Sequence, residues 1–80
     1  MKFNISTLYI STGTAKLADL PVYESTLKAE VPRGADVTIT GPGPVWLYLR
    51  LAHTLHGIAR TLRYDSPVTG SVVVFDHNPH

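Results

Sequence analysis

The chain has no cysteine among its 80 residues, which excludes both a disulfide framework and a thiolate zinc site. Any metal must therefore be held by His, Asp, Glu or backbone oxygen, and a reducing cytoplasm is the expected location. No apolar run is long enough to span a membrane. The first residues, MKFNISTLYIST, alternate polar and apolar groups and do not read as a secretory signal. Charge is nearly balanced, with a net +1 at pH 7 and a pI of about 8.1. This is too mild for a general nucleic-acid coat, which relies on many phosphate contacts, but it leaves room for a small anionic ligand. Long charged, Ser-rich or Gln-rich tracts are also missing, and mean hydropathy is +0.06, so a folded chain is expected. A chain of this length forms one small domain, residues 1–80, and buries only roughly 60% of its unfolded surface. Oligomerisation is expected on that ground.

Turning to what is present, Lys2 to Ile10 carries β-branched and aromatic residues in partial alternation, with Phe3, Ile5, Thr7 and Tyr9 on one face. A first strand is expected there. Val22 to Val31 is read as a second strand with Tyr23, Ser25 and Leu27 on one side, although Leu27-Lys28-Ala29-Glu30 also suits a short helix. The turn signal PRGAD precedes a short strand, VTIT. TGPGP then stops that strand and starts a helix, because proline cannot donate to a sheet and Pro44 suits a first helical turn. From Val45 to about Ile58, helical spacing places Leu47, Leu51, Leu55, Ile58, Tyr48 and Ala52 on one arc. Arg50, His53, Gly57 and Trp46 fall opposite, and His56 lies at the border. ARTLRYD and GSVVVFDH read as two further strands joined by Ser66 to Thr69. The expected architecture is α+β, a largely antiparallel sheet of about five strands with one main helix and an open face or edge.

His53 and His56 stand three residues apart and project from neighbouring helical positions, within reach of a shared metal or phosphate. Asp65 and His77 each close a strand, and the register of the last two strands decides whether they meet. If they join the helical histidines, three imidazoles and a carboxylate form a set suited to Mn²⁺, Zn²⁺ or Fe²⁺. The bland alternatives are solvated histidines and a turn carboxylate in an Asp-Ser-Pro sequence. The loop from Gly41 through Gly43 to Pro44 offers backbone N–H groups to an anion, without the Lys of a nucleotide-hydrolysing loop. Arg50, Arg60 and Arg63 add positive charge to the same half, with Arg60 and Arg63 on opposite faces if both lie in one strand. Trp46 is a candidate interface residue or base-stacking platform.

GPGPVWLYLRLAHTLHG, RYD and GSVVVFDH together resemble the small CRISPR-associated ring nucleases of the metal-dependent type. That family's pattern is a Gly-x-Gly-Pro-aliphatic-Trp-Leu helix start, His-x-x-His, Tyr-Asp after the next strand, and Gly-x-Val-Val-Val-x-x-His. The match covers roughly the second half of the chain, and its fixed order of separate elements makes it far more specific than His-x-x-His alone. The resemblance implies an enzyme, a phosphodiesterase that degrades cyclic tetra-adenylate, the second messenger of type III CRISPR defence, with Mn²⁺ assisting. It also implies a homodimer, and a tetramer that sandwiches the ligand and completes each site with residues from opposing dimers. His56 and Asp65 match the expected catalytic positions, and His56, Asp65 and His77 the expected metal ligands. His53, Arg50, Arg60, Arg63 and Gly43 are the expected substrate contacts. One departure stands out: the family often carries Asp-Pro-Arg in this turn, whereas this chain has Asp65-Ser66-Pro67-Val68-Thr69. The implied setting is a prokaryotic cytoplasm, with the protein encoded by the cell or by a virus. Two other functions compatible with the pattern are a module that sequesters cyclic oligoadenylate without cutting it, and a metal-dependent 3′-exonuclease on short A-rich RNA.

Overall fold

The computed structural model describes residues 1–78. Its strands and helices are β1 (Lys2–Asn4), α1 (Leu20–Glu30), β2 (Asp36–Thr40), α2 (Val45–His56), β3 (Thr61–Ser66) and β4 (Gly70–Asp76), with short 3₁₀ turns at Ile5–Tyr9 and Leu17–Asp19. The α+β class expected from the sequence is what the chain adopts, in a four-stranded sheet of order β1-β2-β3-β4. Among the described residues, no helix is long and apolar enough to cross a membrane.

Two segments differ from the sequence expectation, and both have local causes. The first strand stops at Asn4 because the Asn4 side chain accepts from the Ser6 backbone N–H at 3.0 Å. Thr7 Oγ1 also donates to the Asn4 carbonyl at 2.8 Å. Such side-chain to backbone bonds compete with a sheet ladder and start a turn instead. The segment expected as a second strand is α1. Its buried residues are Leu20, Tyr23 and Leu27, a spacing of three and four that matches a helix rather than the alternation of Tyr23, Ser25 and Leu27. Pro21 lies in the first turn of α1, where its missing N–H costs nothing. Pro32 ends the helix by forcing Val31 into extended backbone, at φ −97° and ψ 114°.

The extra helix changes the sheet. Helical crossovers after β1 and β2 return the chain in the same direction, so β1–β2 and β2–β3 pair parallel. The β3–β4 hairpin is antiparallel. Ser66 Oγ accepts from the N–H groups of Val68 and Thr69 at 3.1 and 3.3 Å within its turn, and Gly70 closes the turn at φ +78°. Both helices cover one sheet face. There Phe3, Val37, Ile39 and Leu62 bury against Leu20, Leu27, Leu47, Leu51 and Leu55. The helices meet through Glu24, which accepts from Thr54 Oγ1 at 2.7 Å and pairs with Arg50 at 3.3 Å. The opposite face is open and mostly polar. Register aligns Lys2, Thr38, Arg63 and Val73 in one cross-strand row on it. Asp65 and Ser71 stand opposite each other one step further along that face.

Candidate functional site

The chemistry-bearing residues gather at two ends of the sheet. At one end, α2 delivers His56 just before its cap at Gly57. β4 delivers Phe75 and, one residue past its end, His77, whose N–H donates to the Arg60 carbonyl at 2.9 Å. The His56 and His77 rings stand 4.6 Å apart, centroid to centroid, in an edge arrangement. Phe75 lies 5.1 Å from His56 and 4.8 Å from His77. Both imidazoles are exposed, as is His53 one turn earlier on α2. Arg60 is committed to a clamp beside them. Its Nε and Nη2 donate to the two Asp36 carboxylate oxygens at 3.1 and 2.6 Å. Thr61 Oγ1 adds a bond to Asp36 at 2.8 Å. The hydrogen bonds from Arg60 and Thr61 hold the Asp36 carboxyl down at about 2, and the same carboxylate pushes Arg60 up.

At the other end, the carboxyl ends of the parallel strands meet the loop into α2. Gly41 has φ +107°, and a Cβ there would stand 2.1 Å from Asn4 Oδ1. A Cβ on Gly43 would stand 2.5 Å from Ile5 Cδ1 and 3.0 Å from Tyr9 Oη. Only glycine meets both demands. Two tyrosines fasten the loop from either side: the Tyr48 hydroxyl donates to the Gly41 carbonyl, and the Tyr9 hydroxyl donates to the Pro42 carbonyl. Burial, helped by the nearby Tyr64 and Tyr9, pushes the Tyr48 hydroxyl up to about 12. Burial likewise raises Tyr9, with a smaller push from Tyr23. A cleft of about 520 Å³ opens here, lined among others by Thr40, Gly43, Tyr48, Tyr64, Asp65 and Ser66. The Asp65 carboxylate receives the Lys2 ammonium at 3.0 Å, reached across β2.

The structure therefore brings His56 and His77 together, with His53 nearby, but it separates Asp65 from them within one chain. The correction comes from register. Thr61 pairs with Asp76, and Asp65 pairs with Ser71, so Asp65 closes the turn end of the hairpin while His77 leaves its open end. Along β3 that distance is roughly 13 Å. Among the described residues, no three His, Asp or Glu side chains are grouped so as to hold a metal ion. The expected arginines also part company. Arg50 is tied to Glu24 and Arg60 to Asp36, while Arg63 stands exposed on the open face. Lys2 escaped the sequence reading because only the β1–β2–β3 register places it beside Asp65.

Fold and surface together define a small α+β domain with a glycine-loop and carboxylate cleft at one end of its sheet and an imidazole pair at the other. Against known families, the model of the family described as CRISPR-associated protein (Cas_csx3) matches residues 14–80, and the chain belongs to that family. The matched span holds every residue of the two ends except Lys2, Asn4, Ile5 and Tyr9. No curated protein and no solved structure matches the chain.

Proposed function

We propose that the protein is a ring nuclease that linearises cyclic tetra-adenylate, with Mn²⁺ or another divalent transition metal assisting. The observation that carries this reading is the separation of Asp65 from His56 and His77. Each end holds half of a phosphodiesterase's chemistry, so a second copy presenting its opposite end completes the set. The donor set fits such a metal only in that form, with the His77 imidazole from one chain and the Asp65 carboxylate from another, while His56 keeps a ring nitrogen free for proton transfer. When bound, the metal neutralises charge that builds on the phosphate. The chain's own groups do the rest. In this reading Lys2, Arg63 and His53 bind phosphates, and the Gly43 backbone lets the ligand approach closely. The ligand supplies its own nucleophile, the ribose 2′-hydroxyl, which the site holds in line with phosphorus. The new P–O2′ bond forms as the P–O5′ bond breaks; His56 takes the 2′ proton, and water gives a proton to the leaving 5′ oxygen. The product is linear oligoadenylate with a 2′,3′-cyclic phosphate and a 5′-hydroxyl.

An edge strand supports self-association. Among the described residues β4 is unpaired on its outer side, and its Val72, Val73 and Val74 are 44%, 55% and 46% exposed. The assembly in this proposal is a homodimer that pairs again into a tetramer around the ligand, acting in the cytoplasm of a prokaryotic cell. The test is product chromatography with labelled cyclic tetra-adenylate in Mn²⁺ and in EDTA. His56→Ala and Asp65→Ala are each expected to abolish linearisation. An equimolar mixture of the two variants is expected to recover it at up to roughly a quarter of sites, because one copy then supplies His56 and another supplies Asp65. Intact ligand under all conditions overturns the reading, and a mixture as dead as its components overturns the shared site.

A second reading is favoured by one observation: Arg50 and Arg60 are held by Glu24 and Asp36, and the Ser66–Thr69 turn carries no arginine. A site poor in free cations suits a module that sequesters the cyclic ligand without cutting it. Retention of uncut ligand in the presence of Mn²⁺ selects this reading over the nuclease.

A further inference from the structure

A second cleft, of about 580 Å³, lies on the other side of the Gly41–Pro44 loop and differs in chemistry from the Asp65 cleft. Its walls include Ile10, Ala15, Pro42, Pro44 and Trp46, with Ser6 also lining it. Trp46 is the only tryptophan in the chain and is half-buried there. The two clefts share Pro42 and Gly43, so one ligand can straddle the loop with a flat apolar part on one side and a charged part on the other. A nucleotide has that division, and an indole flanked by prolines is a surface on which a base stacks. Ser6 adds a preference. Its Oγ donates its proton to Asn4 Oδ1 at 2.7 Å. The same Asn4 oxygen accepts from the Ser6 backbone N–H at 3.0 Å, which fixes it as the acceptor. Ser6 Oγ therefore offers the cleft only a lone pair, which suits an exocyclic amine and not a carbonyl.

We infer that the Trp46 cleft is an adenine pocket that takes one base of the cyclic ligand while the attached ribose phosphate lies in the Asp65 cleft. This rests on the ring-nuclease reading above and names the part of that site that recognises the base. Pocket residues act on binding, whereas His56 and Asp65 act on turnover.

The single tryptophan makes the test direct. Cyclic tetra-adenylate titrated in EDTA into the wild-type protein is expected to quench Trp46 emission to saturation, in step with ligand retention measured by filter binding. Trp46→Ala is expected to weaken binding by about tenfold or more, and Trp46→Phe to keep most of it, since stacking survives on a smaller ring. The inosine analogue of the ring, which has a carbonyl in place of the amine, is expected to bind about tenfold less well. Ser6→Ala is expected to erase that preference. Tight retention with unchanged emission, or Trp46→Phe and Trp46→Ala both binding like wild type, overturns the pocket and leaves the ring-nuclease reading standing. Absence of any retention overturns both.

Discussion

The two ends of the sheet are built to different standards of rigidity. At the Asp65 end, buried Tyr9 and half-buried Tyr48 pin consecutive carbonyls of a loop whose glycines admit no side chain. At the His56 end, two exposed imidazoles meet at the ends of a helix and a hairpin, held by one backbone bond and the ring of Phe75. In the proposed assembly, a preorganised cleft from one copy and an exposed pair of imidazoles from another divide the work between the two ends. In that reading the fastened end sets the ligand's position, and the exposed end docks against it.

Substitutions should expose this contrast most strongly in activity. Asp65→Asn and His56→Ala are each expected to lower linearisation of cyclic tetra-adenylate by at least about a hundredfold, the usual worth of a positioned acid–base group. Circular dichroism melting should stay close to wild type, because His56 is exposed and Asp65 makes only a partly exposed ion pair with Lys2. A parallel loss of folding would mean that they serve structure instead. Next in size, Gly41→Ala should destabilise the fold by roughly 2–4 kcal/mol in urea unfolding, combining unfavourable backbone with a clash against Asn4. Gly57→Ala is the control, with open space around its missing side chain, and should change little. Equal effects at Gly41 and Gly57 would deny that the loop is the rigid end.

A smaller effect separates the ends by pH. Tyr48 titrates at about 12 in the fold against an ordinary value of 10.0. Its contribution is therefore complete below pH 10 and is lost as pH rises towards 12. Tyr48→Phe should cost about 1 kcal/mol near neutrality and flatten the alkaline limb of the stability profile. At the other end, Asp36 is depressed from 3.8 to about 2. Its contribution is present above about 3.8 and disappears as pH falls through 2. Asp36→Asn should flatten only the acid limb, and a change in the alkaline limb would show that the ends are coupled. The smallest effect is expected from Lys2→Ala. Its exposed ion pair with Asp65 should shift stability by under about 1 kcal/mol, so any large change must appear in ligand binding.

Much of the second half of the chain was legible in the sequence. Glycine and proline have few permitted roles, so TGPGP marked the break between β2 and α2, and the leucine spacing marked the buried face of α2. The SPVT turn likewise marked the hairpin. The first half was less legible because Val22 to Val31 satisfies two periods at once, and only packing of Leu20, Tyr23 and Leu27 against the sheet selects the helix. That one element accounts for the parallel β1–β2 pairing and for four strands in place of five, while the crossover through α2 accounts for the parallel β2–β3 pairing.

The candidate site divides in the same way. By itself the sequence determined which groups are available: two helical imidazoles, a carboxylate after a tyrosine, a terminal imidazole and a glycine loop, in an order that identifies the family. Side-chain chemistry and local backbone limits belong to residues and their near neighbours, so they survive in one dimension. The tertiary structure alone decided that Arg50 and Arg60 are spent on Glu24 and Asp36, that Lys2 stands beside Asp65, and that Asp65 and His77 leave opposite ends of one hairpin. Those facts depend on strand register, where a shift of a single residue turns every side chain to the other face, and register is settled by the packing of the whole sheet.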